Sequence, residues 1–173
     1  EVDERSTVDG LIHTHLNEDQ VAAACTYFLS EGIEAVAVCF LHAYANSQHE
    51  QRAAKIVQKL MPSAYVCTSN EILPEYREFE RFSTTALNAF VAPRTGRYLT
   101  ELANNLASSG LNTPVRVMAS NGGTWPAARM AERPVNALLS GPAGGVIAAT
   151  GRSEALNIHD IITYDMGGTS TDA

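Results

Sequence analysis

The apolar positions of this chain fall into runs of two kinds, one at helical spacing and one continuous. Val21, Ala24, Cys25, Phe28 and Leu29 recur at helical spacing behind an Asn17/Gln20 pair with capping-box spacing, and Gly32 closes the run. Residues 33–41, Ile-Glu-Ala-Val-Ala-Val-Cys-Phe-Leu, are almost continuously apolar, as in a strand buried on both faces of a parallel sheet. A second capping-box pair, Ser47 and Glu50, precedes inward positions Ala53, Ile56, Val57 and Leu60 before Pro62 ends the helix, and residues 65–68 predict the next strand. Residues 8–15 read as a short strand or linker ahead of this series. Helix, strand, helix, strand is the α/β order, in which crossovers are right-handed and ligands collect at the carboxyl edge of the strands.

Pro74 suits the first turn of a longer helix whose inward stripe would be Tyr76, Phe79, Ser83, Ala86, Leu87 and Phe90. Glu75, Arg77, Glu78, Glu80 and Arg81 fall mostly outside that stripe and read as a solvated face with weak ion pairs. Pro93 is expected to end this helix, with another over 95–107 and Gly110 beyond it. Residues 115–119 predict a strand running into Ser120-Asn121-Gly122-Gly123, either an ordinary loop or a close approach to a ligand. After a helical piece with Ala127, Ala128 and Met130, residues 135–139 predict a strand, and Pro142 and Gly151 bracket a glycine-rich helix. Gly141, Gly145 and Ala149 recur every four residues on it, a smooth groove in which a second helix can cross closely.

Composition narrows the function classes. The chain has 173 residues, 45% hydrophobic and 18% charged, as in a folded protein, and a net charge of -7 argues against a nucleic-acid surface. Cys25, Cys39 and Cys67 are too few and too widely spaced for a zinc knuckle or a disulfide frame, so a reducing cytoplasm is the expected setting. Cys39, inside the apolar run, is expected to pack as a small hydrophobe. No apolar run approaches the ~18 residues of a membrane span, so no membrane partner is expected. His13 and His15 share a strand face and would need a third ligand to bind zinc; an exposed edge strand is the simpler reading.

The candidate chemistry lies at residues 160–173, Asp-Ile-Ile-Thr-Tyr-Asp-Met-Gly-Gly-Thr-Ser-Thr-Asp-Ala. Residues 160–164 predict a buried strand that delivers Asp165, Gly167, Gly168 and Thr169 into a tight turn. Glycines let backbone N–H groups approach phosphate oxygens, Thr169 can add a hydroxyl donor, and Asp165 can hold a hydrated divalent cation. A purely structural turn is the alternative. No returning strand is expected after the turn, which suggests a piece of a longer protein. Gly141-x-x-Gly144 followed by Asp165 partly matches a dinucleotide fingerprint but lacks its three-glycine spacing, and no P-loop is present.

The order Ser140-Gly141-Pro142-Ala143-Gly144-Gly145, then Asp165-Met166-Gly167-Gly168-Thr169-Ser170-Thr171-Asp172, resembles the hydantoinase A/5-oxoprolinase family, which includes ATP-hydrolysing N-methylhydantoinases and acetone carboxylase β subunits. Further stretches resemble it too: residues 37–42 with His49-Glu50, residues 71–75 with Glu80-Arg81, and residues 120–123. The resemblance implies a partial RNase H-like α/β fold of the actin, sugar kinase and heat-shock chaperone superfamily. Residues 1–139 would be the later part of the first half, 140–151 the connecting helix and 152–173 the start of the second half. It further implies that Asp165 is the catalytic and metal-orienting carboxylate, that Gly167, Gly168, Thr169 and Ser170 cradle phosphate, and that Asp172 has a weaker part in the same site. ATP and Mg²⁺, a small cyclic amide and a companion B subunit are the implied ligands and partners. A hydantoin or 5-oxoproline ring would open after phosphorylation of its amide oxygen. The alternatives are an acetone carboxylase-type subunit and a non-catalytic ATP-binding switch. The 173 residues alone are expected to be inactive and to bind ATP weakly or not at all.

Overall fold

The computed structural model describes every residue except Ser170 and Ala173. It divides into two compact units, Glu1–Thr95 and Gly96–Ala173.

In the first unit, strands β1 (Arg5–Ser6) and β2 (Ile12–Thr14) pair antiparallel ahead of helix α1 (Glu18–Ser30). Asn17 caps α1 by accepting from the Gln20 backbone N–H at 3.1 Å. The reciprocal half of the expected box is missing, because the Gln20 amide turns to Asp3, accepting from its N–H at 2.6 Å and donating to its carboxylate at 2.7 Å. Strand β3 (Ala35–Val38) and strand β4 (Tyr65–Thr68) pair in parallel, joined by helix α2 (Gln48–Leu60). The α/β order is thus realised as a parallel β3–α2–β4 unit, with β3 about half the length that its apolar run suggests. Val21, Cys25, Val36, Val38, Ala53, Val57 and Met61 form the core, with Phe28 and Phe40 against it.

The second expected box fails in an informative way. Ser47 makes no capping bond, and Glu50, expected to reach back along the helix, is fully buried.

After a four-residue helix α3 (Ser69–Ile72), one helix, α4, runs from Glu78 to Ser108 with Pro93 inside it. Two separate helices, the first opening at Pro74, are therefore not what forms; residues 73–77 stay irregular. The expected inward stripe is also reversed. Phe79 is 82% and Phe90 78% exposed, while Arg81, Thr85, Asn88, Ala89 and Ala92 are buried. The physical reason is polar satisfaction combined with small size. The Thr85 hydroxyl donates back to the Arg81 carbonyl at 2.6 Å and the Asn88 amide donates to the Tyr65 hydroxyl at 2.8 Å. Ala89 and Ala92 let this face come close to its neighbours. An apolar stripe does not win when the opposite face is small and has every polar group but one partnered.

The second unit begins within α4. Strands β5 (Arg116–Met118) and β6 (Thr124–Pro126) form an antiparallel hairpin followed by helix α5 (Ala127–Glu132). Leu99, Ala119, Ala127 and Met130 are its core. Residues 135–139, expected as a strand, form a 3₁₀ turn at Pro134–Ala137 instead, because the Asn136 carbonyl is engaged by Ser120 through both its N–H and hydroxyl at 2.7 Å. Helix α6 (Ser140–Leu156) follows, and β7 (Asp165–Met166) pairs antiparallel with β8 (Thr171–Asp172). Among the described residues, no helix is long and apolar enough to cross a membrane.

Candidate functional site

The turn at residues 120–123 is settled as a hairpin turn. Ala119 N–H donates to Gly123 at 2.8 Å, Gly122 N–H to Ala119 at 2.9 Å, and Gly123 N–H to the Asn121 side chain at 3.1 Å. Gly122 has φ +85°, which favours glycine, and lies directly under the end of the Ile147 side chain.

The Gly-rich turn takes a different form from the one expected. Residues 160–164 are not a buried strand; they have no regular structure, and Ile162 is 92% exposed. A strand with no neighbour on either side has nothing to satisfy its backbone or cover its side chains. A returning strand does exist: β8 pairs Asp172 with Asp165 and Thr171 with Met166. The two carboxylate residues are thereby opposite each other across one antiparallel pair, while Gly167, Gly168 and Thr169 form the exposed connection between the strands. Ser170, expected to join the phosphate cradle, lies outside the described residues.

Asp165 and Asp172 both line an open cavity of about 650 Å³ whose wall is α6, through Pro142, Gly145, Val146 and Ala149. Gly141 and Gly145 have no atom within contact distance of where a Cβ would stand, so the expected groove is open. Gly144, on another side of α6, would place a Cβ 3.8 Å from Met118 of β5. The helix therefore packs by one side and presents its smooth side.

Oxygen donors suit a hard cation such as Mg²⁺, which takes one or two carboxylates and completes its octahedron with water and phosphate. Two exposed aspartates on adjacent strands fit that donor set. No group of three or more metal-ligating side chains occurs among the described residues, and His13 and His15 are exposed.

A second constellation escaped the sequence reading. The Glu50 carboxylate accepts from Phe40 N–H at 2.8 Å, Ser69 hydroxyl at 2.5 Å and Asn70 N–H at 2.9 Å. Burial pushes its pKa above the ordinary value, opposed by those hydrogen bonds and by Arg81. Arg81, expected on a solvated face, is fully buried and donates to the Glu75 carbonyl at 2.7 Å and the Phe40 carbonyl at 2.9 Å. Its guanidinium also stands over the Tyr44 and Phe82 rings. Within the sequence, the only cue was that Glu50 and Arg81 recur in stretches whose family resemblance lacked a physical account.

Comparison with known proteins places this geometry. The hydantoinase/oxoprolinase family model matches residues 81–173 and that family's N-terminal region model matches residues 1–61. The chain belongs to the hydantoinase/oxoprolinase family. It is 40% identical to caprolactamase subunit alpha of Pseudomonas jessenii over 95% of this chain and 24% of that one. The crystal structure of the ATP-dependent caprolactamase from the same organism superposes with a TM-score of 0.90 at 38% identity, covering 98% of this chain and 25% of that one. A nucleotide-free acetone carboxylase structure superposes with a TM-score of 0.86 at 30% identity, covering 98% and 24%. The chain thus spans about a quarter of the length of these relatives, and its fold is the corresponding part of the hydantoinase-family α/β fold.

Proposed function

We propose that this chain is the phosphate-binding part of an ATP-dependent cyclic amidohydrolase, which opens a lactam or hydantoin ring after transferring phosphate to the amide oxygen. The observation that carries the reading is the Asp165–Asp172 pairing around Gly167-Gly168-Thr169, beside the smooth open side of α6. In this reading Asp165 orients Mg²⁺ or its bound water and Asp172 assists it. The N–H groups of Gly167 and Gly168, the Thr169 hydroxyl and Ser170 hold the β- or γ-phosphate. Residues 140–151 connect the two halves of the nucleotide clamp, and a companion B subunit completes hydrolysis of the activated ring.

The chemistry suits such a site. An amide carbonyl is a poor electrophile, and O-phosphorylation gives it a good leaving group; the protein mainly positions the reactants and stabilises charge on the transferred phosphoryl. The likeness to acetone carboxylase supports a second reading, in which a ketone rather than an amide oxygen receives the phosphate.

The test is nucleotide-dependent turnover by the longer protein carrying these residues. Asp165→Asn should lower kcat at least 100-fold and weaken the Mg²⁺ dependence. Turnover within threefold of the wild type would reject the site.

A further inference from the structure

Three stretches of the first unit that are distant in sequence meet around His49. Glu4, just before β1, and His49, in the first turn of α2, are both buried, with 6% and 7% of their side chains exposed. Nδ1 of His49 lies 2.9 Å from Oε2 of Glu4. With that carboxylate ionised, Nδ1 carries the proton it donates, and Nε2 presents a lone pair until a second proton binds. Among the described residues, the sealed side-chain nitrogens and oxygens that lack a partner are His42 Nδ1 and Arg81 Nε. Nε2 of His49 has no hydrogen-bond partner and is not one of them, so it is open, and it opens on the cavity that His49 lines.

That cavity, of about 440 Å³, runs along one face of α2, where Gln48, Gln51, Arg52 and Lys55 follow one another at helical spacing. Ile12, His15, Leu16 and Glu18 complete its lining. Glu18 takes both prongs of the Arg52 guanidinium, Nε to Oε1 and Nη2 to Oε2, each at 2.7 Å, so these two charges cancel. Lys55 is left as a cation with no partner. The positive end of the α2 dipole lies at the same end of the helix as His49. A cavity with a free ammonium and no third metal-ligating side chain does not suit a divalent cation. It suits an anion, and one of a particular kind. The Arg52 fork is already filled, so an imidazolium and a single ammonium remain, which match the one negative charge of a carboxylate better than a phosphate dianion. Ile12 and Leu16 add apolar wall that a bare oxyanion would leave uncovered.

We propose that this cavity binds a small carboxylate with a short hydrocarbon body, held by Nε2–H of protonated His49 and the Lys55 ammonium, with the body against Ile12 and Leu16. The site lies wholly in the first unit and is independent of the phosphate turn. Ligand and proton bind together: the second proton reaches Nε2 from solvent, and the buried Glu4 carboxylate balances the charge it brings. The charged and titratable groups around the imidazole are Glu4 before β1, His15 and Glu18 at the head of α1, and Arg52 and Lys55 on α2.

The test is isothermal titration of the longer protein carrying these residues, near neutral pH and in two buffers of unlike ionisation heat, with hexanoate, acetate, hexanamide and inorganic phosphate. Hexanoate should bind in about the millimolar range or tighter with net proton uptake, acetate more weakly, and hexanamide, which has the same body without the charge, not at all. Lys55→Ala, on the exposed face of α2, should weaken hexanoate about tenfold. His49→Gln keeps a donor for Glu4 and should weaken hexanoate by about the same factor while abolishing the proton uptake. Hexanoate that fails to bind, binds no better than hexanamide, or binds Lys55→Ala within twofold of the wild type overturns the proposal. Proton uptake that survives in His49→Gln overturns it too, by moving the proton to another group such as His15. Phosphate that binds more tightly than hexanoate, with a loss in the same variants, overturns the carboxylate assignment in favour of phosphate. Should His49→Gln fail to fold, Lys55→Ala and the wild-type proton uptake decide, and absence of either effect overturns the proposal.

Discussion

At the scale of single residues, Glu50 sets the terms of the first unit. Three donors converge on a carboxylate removed from water, and deleting it strands all three; Glu50→Ala should destabilise the protein by about 3 kcal/mol or more in urea unfolding. Its raised pKa also has a sign. The folded state binds the proton more tightly than the unfolded state, so this group's contribution is fully present below the unfolded value. It is lost as pH rises through the folded value. Glu50→Gln should therefore remove a fall in stability just above the ordinary carboxylate range. An unchanged slope in unfolding free energy against pH would contradict this. Cys39 and Cys67 obey the same desolvation logic: burial, first among the causes, pushes them to about 12 and about 11, so alkylation by iodoacetamide at pH 8 should leave both unmodified in the folded protein. Cys39, expected to pack as a small hydrophobe, lies just past the end of β3 and is half-buried, whereas Cys67 is fully buried.

At the scale of elements, Gly122 shows how one position fixes a hairpin. Gly122→Ala would meet a disfavoured φ and press on the end of the Ile147 side chain, and should lower the unfolding free energy by about 1–2 kcal/mol, read in urea unfolding. Elements that satisfy themselves locally were legible from sequence: the Asn17 cap, the helix over Ala127–Glu132 and the glycine-rich helix after Ser140; strand β4, paired with distant β3, was legible from its β-branched and aromatic run. Those decided by distant polar partners were not. Helix α4 turns its aromatic stripe outward because Arg81 and Asn88 find acceptors that only the folded loop after β3 and strand β4 supply, while the Thr85 hydroxyl is satisfied by the helix's own Arg81 carbonyl. Periodicity sees apolar spacing and is blind to that satisfaction. Glu50 looked like a capping residue for the same reason. In the candidate site, the residue types of the Gly-rich turn were readable, but the returning strand was not, since a two-residue strand carries no period.

At the scale of the whole molecule, the chain carries one α/β unit with a pinned loop at its strand edge and a second unit in which α6 and the β7–β8 hairpin line an open, mainly apolar cavity that also carries Asp165 and Asp172. About three quarters of the length of its relatives lies outside the matched region, and on the proposed reading an ATP clamp of two halves cannot close on one hairpin. Isothermal titration of the 173 residues with Mg-ATP should therefore give no binding tighter than millimolar, whereas the longer protein should bind in the micromolar range. Tight binding by the short chain would show that the phosphate turn suffices alone. The most direct measurement of the central claim is ADP release by a longer protein carrying these residues, with the proposed companion subunit, across cyclic amides and acetone, with Asp165→Ala as control. Stimulation by a cyclic amide, lost in the variant, is the predicted result; turnover that no cyclic amide stimulates, or that survives Asp165→Ala, would contradict it.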